Sequence, residues 1–271
     1  MRPLILYHGS KWRIAGWLTS SFPRHRIYVD LFGGSASVLL RKPRAEIEVY
    51  NDIDGEIVNL MKVVRDRGGE LAEKLYVTPY ARAEFRESFE RSDDPLEQAR
   101  RTIIRSLQGY GGSYATRGSK STPGGFRVAY KSGNCPPKTW TNVPENIMEI
   151  IERFRGVYIE NLDFRTILAR YDQEDALVYA DPPYIPGTRD YGSDYSFETT
   201  TEDHRDLAAL LNRRKGPVVI SGYRSDLYDE LYRGWDWKET ETMCAANTKR
   251  VEKIWIKGME PDLFTAADLA V

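Results

Sequence analysis

The 271-residue sequence predicts an α/β protein built on a mostly parallel sheet. Three observations carry that prediction. Two separate series repeat a short apolar run, a turn and a helical period; a tail alternates polar and apolar residues; and a stretch from about residue 70 to 149, lying between the series, has helical segments without comparable strand alternation.

In chain order, Arg26-Ile27-Tyr28-Val29-Asp30-Leu31 reads as a buried strand that runs into the small-residue turn Phe32-Gly33-Gly34-Ser35-Ala36-Ser37. The helical Val38-Leu39-Leu40-Arg41 follows. A second strand, Glu46-Ile47-Glu48-Val49-Tyr50, leads through Asn51-Asp52-Ile53-Asp54 to a helix with Ile57, Leu60, Met61 and Val64 on one face, which should stop at Gly68-Gly69. The second series starts near Val157-Tyr158-Ile159 and continues through Leu177-Val178-Tyr179-Ala180 to a helix at about 201–214. That helix has Thr200 as N-cap, Leu207, Leu210 and Leu211 as its stripe, and Gly216-Pro217 as its stop. Val218-Val219-Ile220 forms a further strand, and Trp235–Thr240 and Val251–Ile256 alternate like an antiparallel pair at a sheet edge. The expected division is one domain from 1–69 and 150–271, with 70–149 inserted as a smaller, mainly helical domain.

Formal charge is nearly balanced at −1, so the whole chain does not advertise a polyanionic partner. The balance hides a basic block. From Ala99 to Thr141 there are Arg100, Arg101, Arg105, Arg117, Lys120, Arg127, Lys131 and Lys138 and no acid, with Tyr110, Tyr114, Phe126, Tyr130 and Trp140 threaded among glycines. Phosphate contacts and base stacking need that combination, although a block of this kind can also be plain solvated surface. Cys135 and Cys244 form no CxxC pair and His8, His25 and His204 share no ligand spacing, so neither a structural disulfide nor a metal is expected. No apolar run approaches the roughly 20 residues of a membrane span, and the opening residues turn polar too soon for a secretory leader; the expectation is a cytoplasmic protein.

Two motifs carry chemistry. The Gly33-Gly34 turn sits at the carboxyl end of the first strand, where open parallel sheets bind ligands, and Asp52 follows about 20 residues on, where an acid can accept from ribose hydroxyls. Such a turn is also a common tight connection. Because it is not G-x-G-x-x-G, an adenosine without pyrophosphate suits it better than a dinucleotide. Asp181-Pro182-Pro183-Tyr184 follows a buried strand, and its prolines make the loop rigid. An exocyclic amine is a poor nucleophile because its lone pair is delocalised into its ring. The Asp181 carboxylate and the Pro182 carbonyl can accept its two N–H bonds and draw the nitrogen toward tetrahedral geometry, while Tyr184 stacks on the base. The alternative is a proline-rich turn with a capping Asp.

In their order these motifs resemble the Dam-like family of DNA adenine-N6 methyltransferases: Tyr7-His8-Gly9-Ser10-Lys11, Asp30-Leu31-Phe32-Gly33-Gly34-Ser35-Ala36, Asn51-Asp52-Ile53-Asp54, an inserted region, Asp163-Phe164, and Asp181-Pro182-Pro183-Tyr184. The resemblance implies a Rossmann-like sheet with an antiparallel C-terminal hairpin, S-adenosylmethionine as cofactor, and methyl transfer to N6 of an adenine flipped out of duplex DNA. It implies that Tyr7, Lys11, Asp30, Phe32, Gly33 and Gly34 serve the methionine end of the cofactor, Asp52 the ribose, Asp163 and Phe164 the adenine ring, and Asp181 both cofactor and base. Arg105, Tyr114, Arg117, Lys120, Arg127 and Lys131 are the expected DNA contacts, and the protein is expected to be a monomer or weak dimer. Two departures stand out: Ala36 replaces the family's second glycine, and residues 99–141 lack a familiar GATC-reading hairpin. Orphan enzymes of phages and mobile elements share the overall pattern.

Methylation of cytosine N4 or a glutamine amide uses similar loops, but Ser or Asn in place of Asp181 would suit those better. A DNA-binding module without chemistry would explain the basic block and leave the Asp181 loop unexplained. Residues 185–197, rich in Gly and aromatics, read either as a flap over the flipped base or as a long surface loop.

Overall fold

The computed structural model describes residues 1–110, 125–129, 135–184, 199–243 and 249–258. Five short runs form parallel strands: β1 (Ile27–Asp30), β2 (Ile47–Asn51), β3 (Val157–Glu160), β4 (Ala176–Ala180) and β5 (Val218–Tyr223). The tail adds an antiparallel hairpin, β6 (Asp236–Met243) and β7 (Lys249–Lys257), with β7 paired to β5. The order across the sheet is β3-β2-β1-β4-β5-β7-β6. The expected mostly parallel sheet with its C-terminal hairpin is therefore present.

Every residue of β1 and β4 is buried, because helices cover both faces of the sheet. Alternate strand residues divide between two cores. Tyr28, Tyr50, Leu177 and Tyr179 pack with α2 (Ser37–Arg41), α3 (Gly55–Val77), α5 (Pro95–Gln108) and α7 (Val143–Phe154). Val29, Leu31, Val178, Ala180 and Ile220 pack with α8 (Phe164–Arg170), α9 (Thr201–Arg213) and α10 (Asp226–Leu231). Three shorter helices complete the described residues: α1 (Ala15–Ser20), α4 (Arg82–Glu87) and α6 (Pro136–Trp140). Helix α9 starts where the sequence predicts, with a reciprocal capping box between Thr200 and Asp203.

The helix after β2 differs from expectation. Its axis breaks at Arg67 (φ −136°, ψ 26°), but helix resumes through Gly68-Gly69 and continues to Val77. Gly68 is a packing residue: a Cβ there would lie 2.5 Å from Cδ1 and Cγ1 of Ile151, so α3 and α7 approach too closely for any side chain. The expected boundary at residue 69 thus falls inside α3. Leu71, Leu75, Leu96, Ala99, Ile103, Trp140 and Ile147 join the same core as Tyr28 and Leu39. Beyond α5 the backbone pairs with itself: Arg127 N donates to Gln108 O (2.7 Å) and Tyr110 N to Gly125 O (3.1 Å), which closes the two ends of the segment 111–124.

Candidate active site

The strand order reverses direction between β1 and β4, and ligands of open α/β sheets bind at the carboxyl ends beside such a switch. Asp30 ends β1 and Asp181 directly follows β4, so the topology brings both carboxyl groups to this crevice.

The turn after β1 is drawn tight by its neighbours. Gly33 N donates to Asn51 O (2.7 Å), Gly34 N to Asp52 Oδ2 (2.8 Å), and the buried Tyr50 hydroxyl to Gly34 O (2.7 Å). A Cβ on Gly33 would run into the Tyr50 ring, and Gly34 has φ +47°, so both glycines are required. Ala36, at the family's glycine position, also lies in the left-handed region at φ +57°. Asp52 accepts from Asp54 N through Oδ1 (2.9 Å), and thereby ties the glycine turn to the start of α3.

Three acids gather here. Burial above all, then the neighbouring Asp181 and Asp52, push the Asp30 carboxyl up to about 8. Burial also pushes Asp52 up to about 6, against the lowering pull of its backbone donors. Lys11, 4% exposed, meets Asp181 Oδ1 at 2.9 Å and donates to Gly9 O at 2.8 Å. Asp181 Oδ1 also accepts from Ser221 Oγ (2.9 Å), whose oxygen is 3.0 Å from the Tyr179 hydroxyl.

The loop after Asp181 is fastened at two further points. Tyr184 is buried; its hydroxyl donates to Glu252 Oε2 (2.8 Å) and the Lys11 ammonium stands 4.8 Å from its ring centroid. The Pro183 carbonyl accepts from Thr199 Oγ1 (2.7 Å), which lies 3.0 Å from Nε2 of the buried His204, and the Tyr228 hydroxyl lies 3.0 Å from His204 Nδ1. With Thr199 donating to Pro183, a single direction satisfies the chain: Tyr228 donates to Nδ1 and Nε2–H donates to Thr199.

Two adjoining cavities share Tyr7, Phe32 and Asp181. One is walled by Lys11, Asp30, Gly33, Gly34 and the serines 10, 35 and 37. The other is walled by Asn51, Asp52, Asp54, Asp163, Phe164, Pro183 and Thr199, with the rings of Phe32 and Phe164 6.0 Å apart. Every residue expected at the cofactor thus borders this crevice. Asp163 has a second task, since its carboxylate caps α8 by accepting from Arg165 N (2.9 Å).

The expected DNA contacts fare differently. Arg105 is fully buried; its guanidinium pairs with Glu56 Oε1 and donates to Ser88 O, so it is a core residue and not a surface contact. Arg100 and Arg101, in the same basic run, pair with Glu97 of their own helix and with Glu84 and Glu87 of α4, so nearby acids neutralise the start of the block. Arg127 is half-buried, with its backbone O accepting from the Tyr80 hydroxyl (2.7 Å). Tyr114, Arg117, Lys120, Lys131 and residues 185–197 lie outside the described residues.

Sequence reasoning missed Tyr50, Ser221, Thr199, His204 and Glu252. Glu252 sits in an alternating strand, where a polar residue reads as solvent-facing. The others have no local signature, because their role exists only once distant segments meet.

A switch-point crevice with this glycine turn, an acid after β2 and a rigid Asp-Pro-Pro-Tyr loop defines a methyltransferase of the S-adenosylmethionine-dependent fold. The chain belongs to the D12 class N6 adenine-specific DNA methyltransferase family, which it matches over residues 7–246. It is similar to the DNA adenine methylase of Escherichia coli strain K12, at 26% identity over 86% of this chain and 84% of the relative. It is also similar to the type II methyltransferase M.MjaIII of Methanocaldococcus jannaschii, at 24% identity over 92% and 94%, and to M1.LlaDCHI of Lactococcus lactis subsp. cremoris, at 24% over 89% and 88%. The family acts on adenine in DNA and draws its methyl group from S-adenosylmethionine. Among the described residues no helix is long and apolar enough to cross a membrane.

Proposed function

We propose that this chain holds S-adenosylmethionine across the two adjoining cavities and methylates N6 of an adenine rotated out of duplex DNA at a specific sequence. The observation that carries the reading is the meeting of the Asp30, Asp52 and Asp181 carboxyl groups at the strand ends, with Lys11 paired to Asp181 among them. A ligand bearing both an ammonium and a sulfonium suits that donor set. When bound, S-adenosylmethionine supplies a methyl group activated by its sulfonium.

Tyr7, Lys11, Asp30 and the glycine turn serve the amino-acid end, Asp52 accepts from the ribose, and Phe164 with Phe32 flanks the adenine ring. Asp181 and the Pro182 carbonyl accept the two N–H bonds of the target amine, which holds its lone pair toward the cofactor cavity. The buried Lys11 ammonium keeps the partly buried Asp181 carboxylate compensated while the site waits for substrate. The DNA footprint narrows to residues 109–135, where Tyr114, Arg117, Lys120, Arg127 and Lys131 supply stacking and phosphate contacts. Arg105 leaves that set.

The test is transfer of labelled methyl from S-adenosylmethionine to unmethylated duplex, followed by sequencing of modified bases on a plasmid from an expressing strain. N6-methyladenine at one recurring sequence is expected, and an Asp181→Ala protein that folds should yield none. Labelling of cytosine, or undiminished activity in Asp181→Ala, overturns the reading.

A further inference from the structure

We propose that Glu252, on β7, is a positioning residue for methyl transfer: its carboxylate anchors the ring of Tyr184 through the tyrosine hydroxyl, and so sets where the catalytic loop presents that ring to the target base. The inference rests on the proposed function for the role of Tyr184.

Two prolines restrict the backbone before Tyr184, but its ring retains rotation about two side-chain bonds. Three contacts remove that freedom. The hydroxyl donates to Glu252 Oε2 at 2.8 Å, the ring meets Tyr223 edge-on with centroids 4.6 Å apart, and the Lys11 ammonium stands 4.8 Å from its centroid. Tyr223 and Glu252 are direct partners in the β5–β7 ladder, so their side chains leave the same face of the sheet and reach Tyr184 together. Because the hydroxyl oxygen lies on the axis of the ring, the hydrogen bond to Glu252 fixes the direction in which the ring points, while the Tyr223 and Lys11 contacts hold its plane.

Glu252 is 5% exposed, and burial raises its carboxyl above the usual range. A leucine at this position would fill the space without the desolvation that a carboxyl group suffers. What the carboxyl adds is an anchor for a hydroxyl. The hairpin that extends the parallel sheet therefore reaches into the active site through one side chain.

The experiment compares E252L, E252Q, Y184F and the E252L/Y184F double variant with the wild type, in steady-state methyl transfer and in the fluorescence of duplexes carrying 2-aminopurine at the target adenine. E252L and Y184F should each lower kcat by about tenfold or more, the scale of a missing hydrogen bond to a charged group, and Y184F, which leaves the Glu252 carboxyl near Lys11 in place, should do so with cofactor Kd unchanged. Because both act on one bond, the double variant should be no slower than either single. E252Q, whose amide oxygen accepts the same hydrogen bond, should recover most of the rate. The 2-aminopurine signal of E252L should report a flipped base stacked differently from that in the wild type. Wild-type kcat and fluorescence in E252L, or additive losses in the double variant, overturn the inference. If E252L does not fold, Y184F decides, and full activity there overturns it. A wild-type protein that methylates no adenine fails the proposed function instead; a Tyr184 hydroxyl proton that exchanges with solvent slowly in cofactor-free wild type and faster in E252L still supports the tether, and equal exchange overturns it.

Discussion

Asp30 is a carboxyl group placed where ionisation is hard: it is 2% exposed, burial raises it to about 8, and Asp52 and Asp181 add repulsion. Between its unfolded value of 3.8 and about 8, the native protein holds this proton more tightly than the unfolded chain does. Native stability therefore falls as pH rises through that window, and the loss is complete above it. Asp52 adds a narrower loss between 3.8 and about 6. Asp30→Asn should accordingly raise Tm at pH 8 and leave it little changed at pH 4, measured without cofactor; equal gains at both pH values would contradict the assignment. Ala36 carries a different strain. At φ +57° an alanine suffers about 1 kcal/mol that glycine does not. Ala36→Gly should therefore stabilise the protein by up to about that amount in urea unfolding, less the loss of one buried methyl group. A clear destabilisation would show that the Cβ packing outweighs the strain.

At the scale of elements, α3 shows how one residue type serves two ends. Gly68-Gly69 reads as a helix stop, and a break does occur beside it at Arg67, but Gly68 is kept by its contact with Ile151. Gly68→Ala, which helix propensity alone would favour, should destabilise the protein by about 1–3 kcal/mol through overpacking. Paired with Ile151→Ala, the loss should be smaller than the sum of the single effects, in a double-mutant cycle read by denaturant unfolding. The core elements were legible because their signals are local: β1, β2, β4 and β5 are apolar runs bounded by turns, and α9 has a cap, a stripe and a stop. Helices α1, α8 and α10 were not, since six or seven residues are too few to show a period. The site divides the same way. Gly33-Gly34, Asp52 and Asp181–Tyr184 are contiguous motifs, whereas the Tyr184–Glu252 and Pro183–Thr199–His204 contacts exist only after β5 and β7 have paired and α9 has docked.

For the whole molecule, the basic block separates into two populations that sequence composition merges. Arg105 is structural: Arg105→Met removes the buried counter-charge of the Glu56 carboxylate, which keeps donors from Gln98 and Thr102, and should lower stability by about 3 kcal/mol, while the salt dependence of DNA binding keeps its slope. Joint neutralisation of Arg117, Lys120 and Arg127 should do the reverse, flattening the slope by about one unit of log–log dependence for each phosphate that these side chains hold, with Tm unchanged. An unaltered slope in that triple variant would move the footprint elsewhere on the surface. The short ladder joining Gln108 and Tyr110 to Gly125 and Arg127 has a consequence for descent as well as for folding. It makes the segment 111–124 a cassette whose two junctions meet, so its length and content can change at small entropic cost while the helices on either side keep their seats in the shared core. On the proposed footprint, exchange of this cassette would alter the contacts to DNA and leave the inherited chemistry intact.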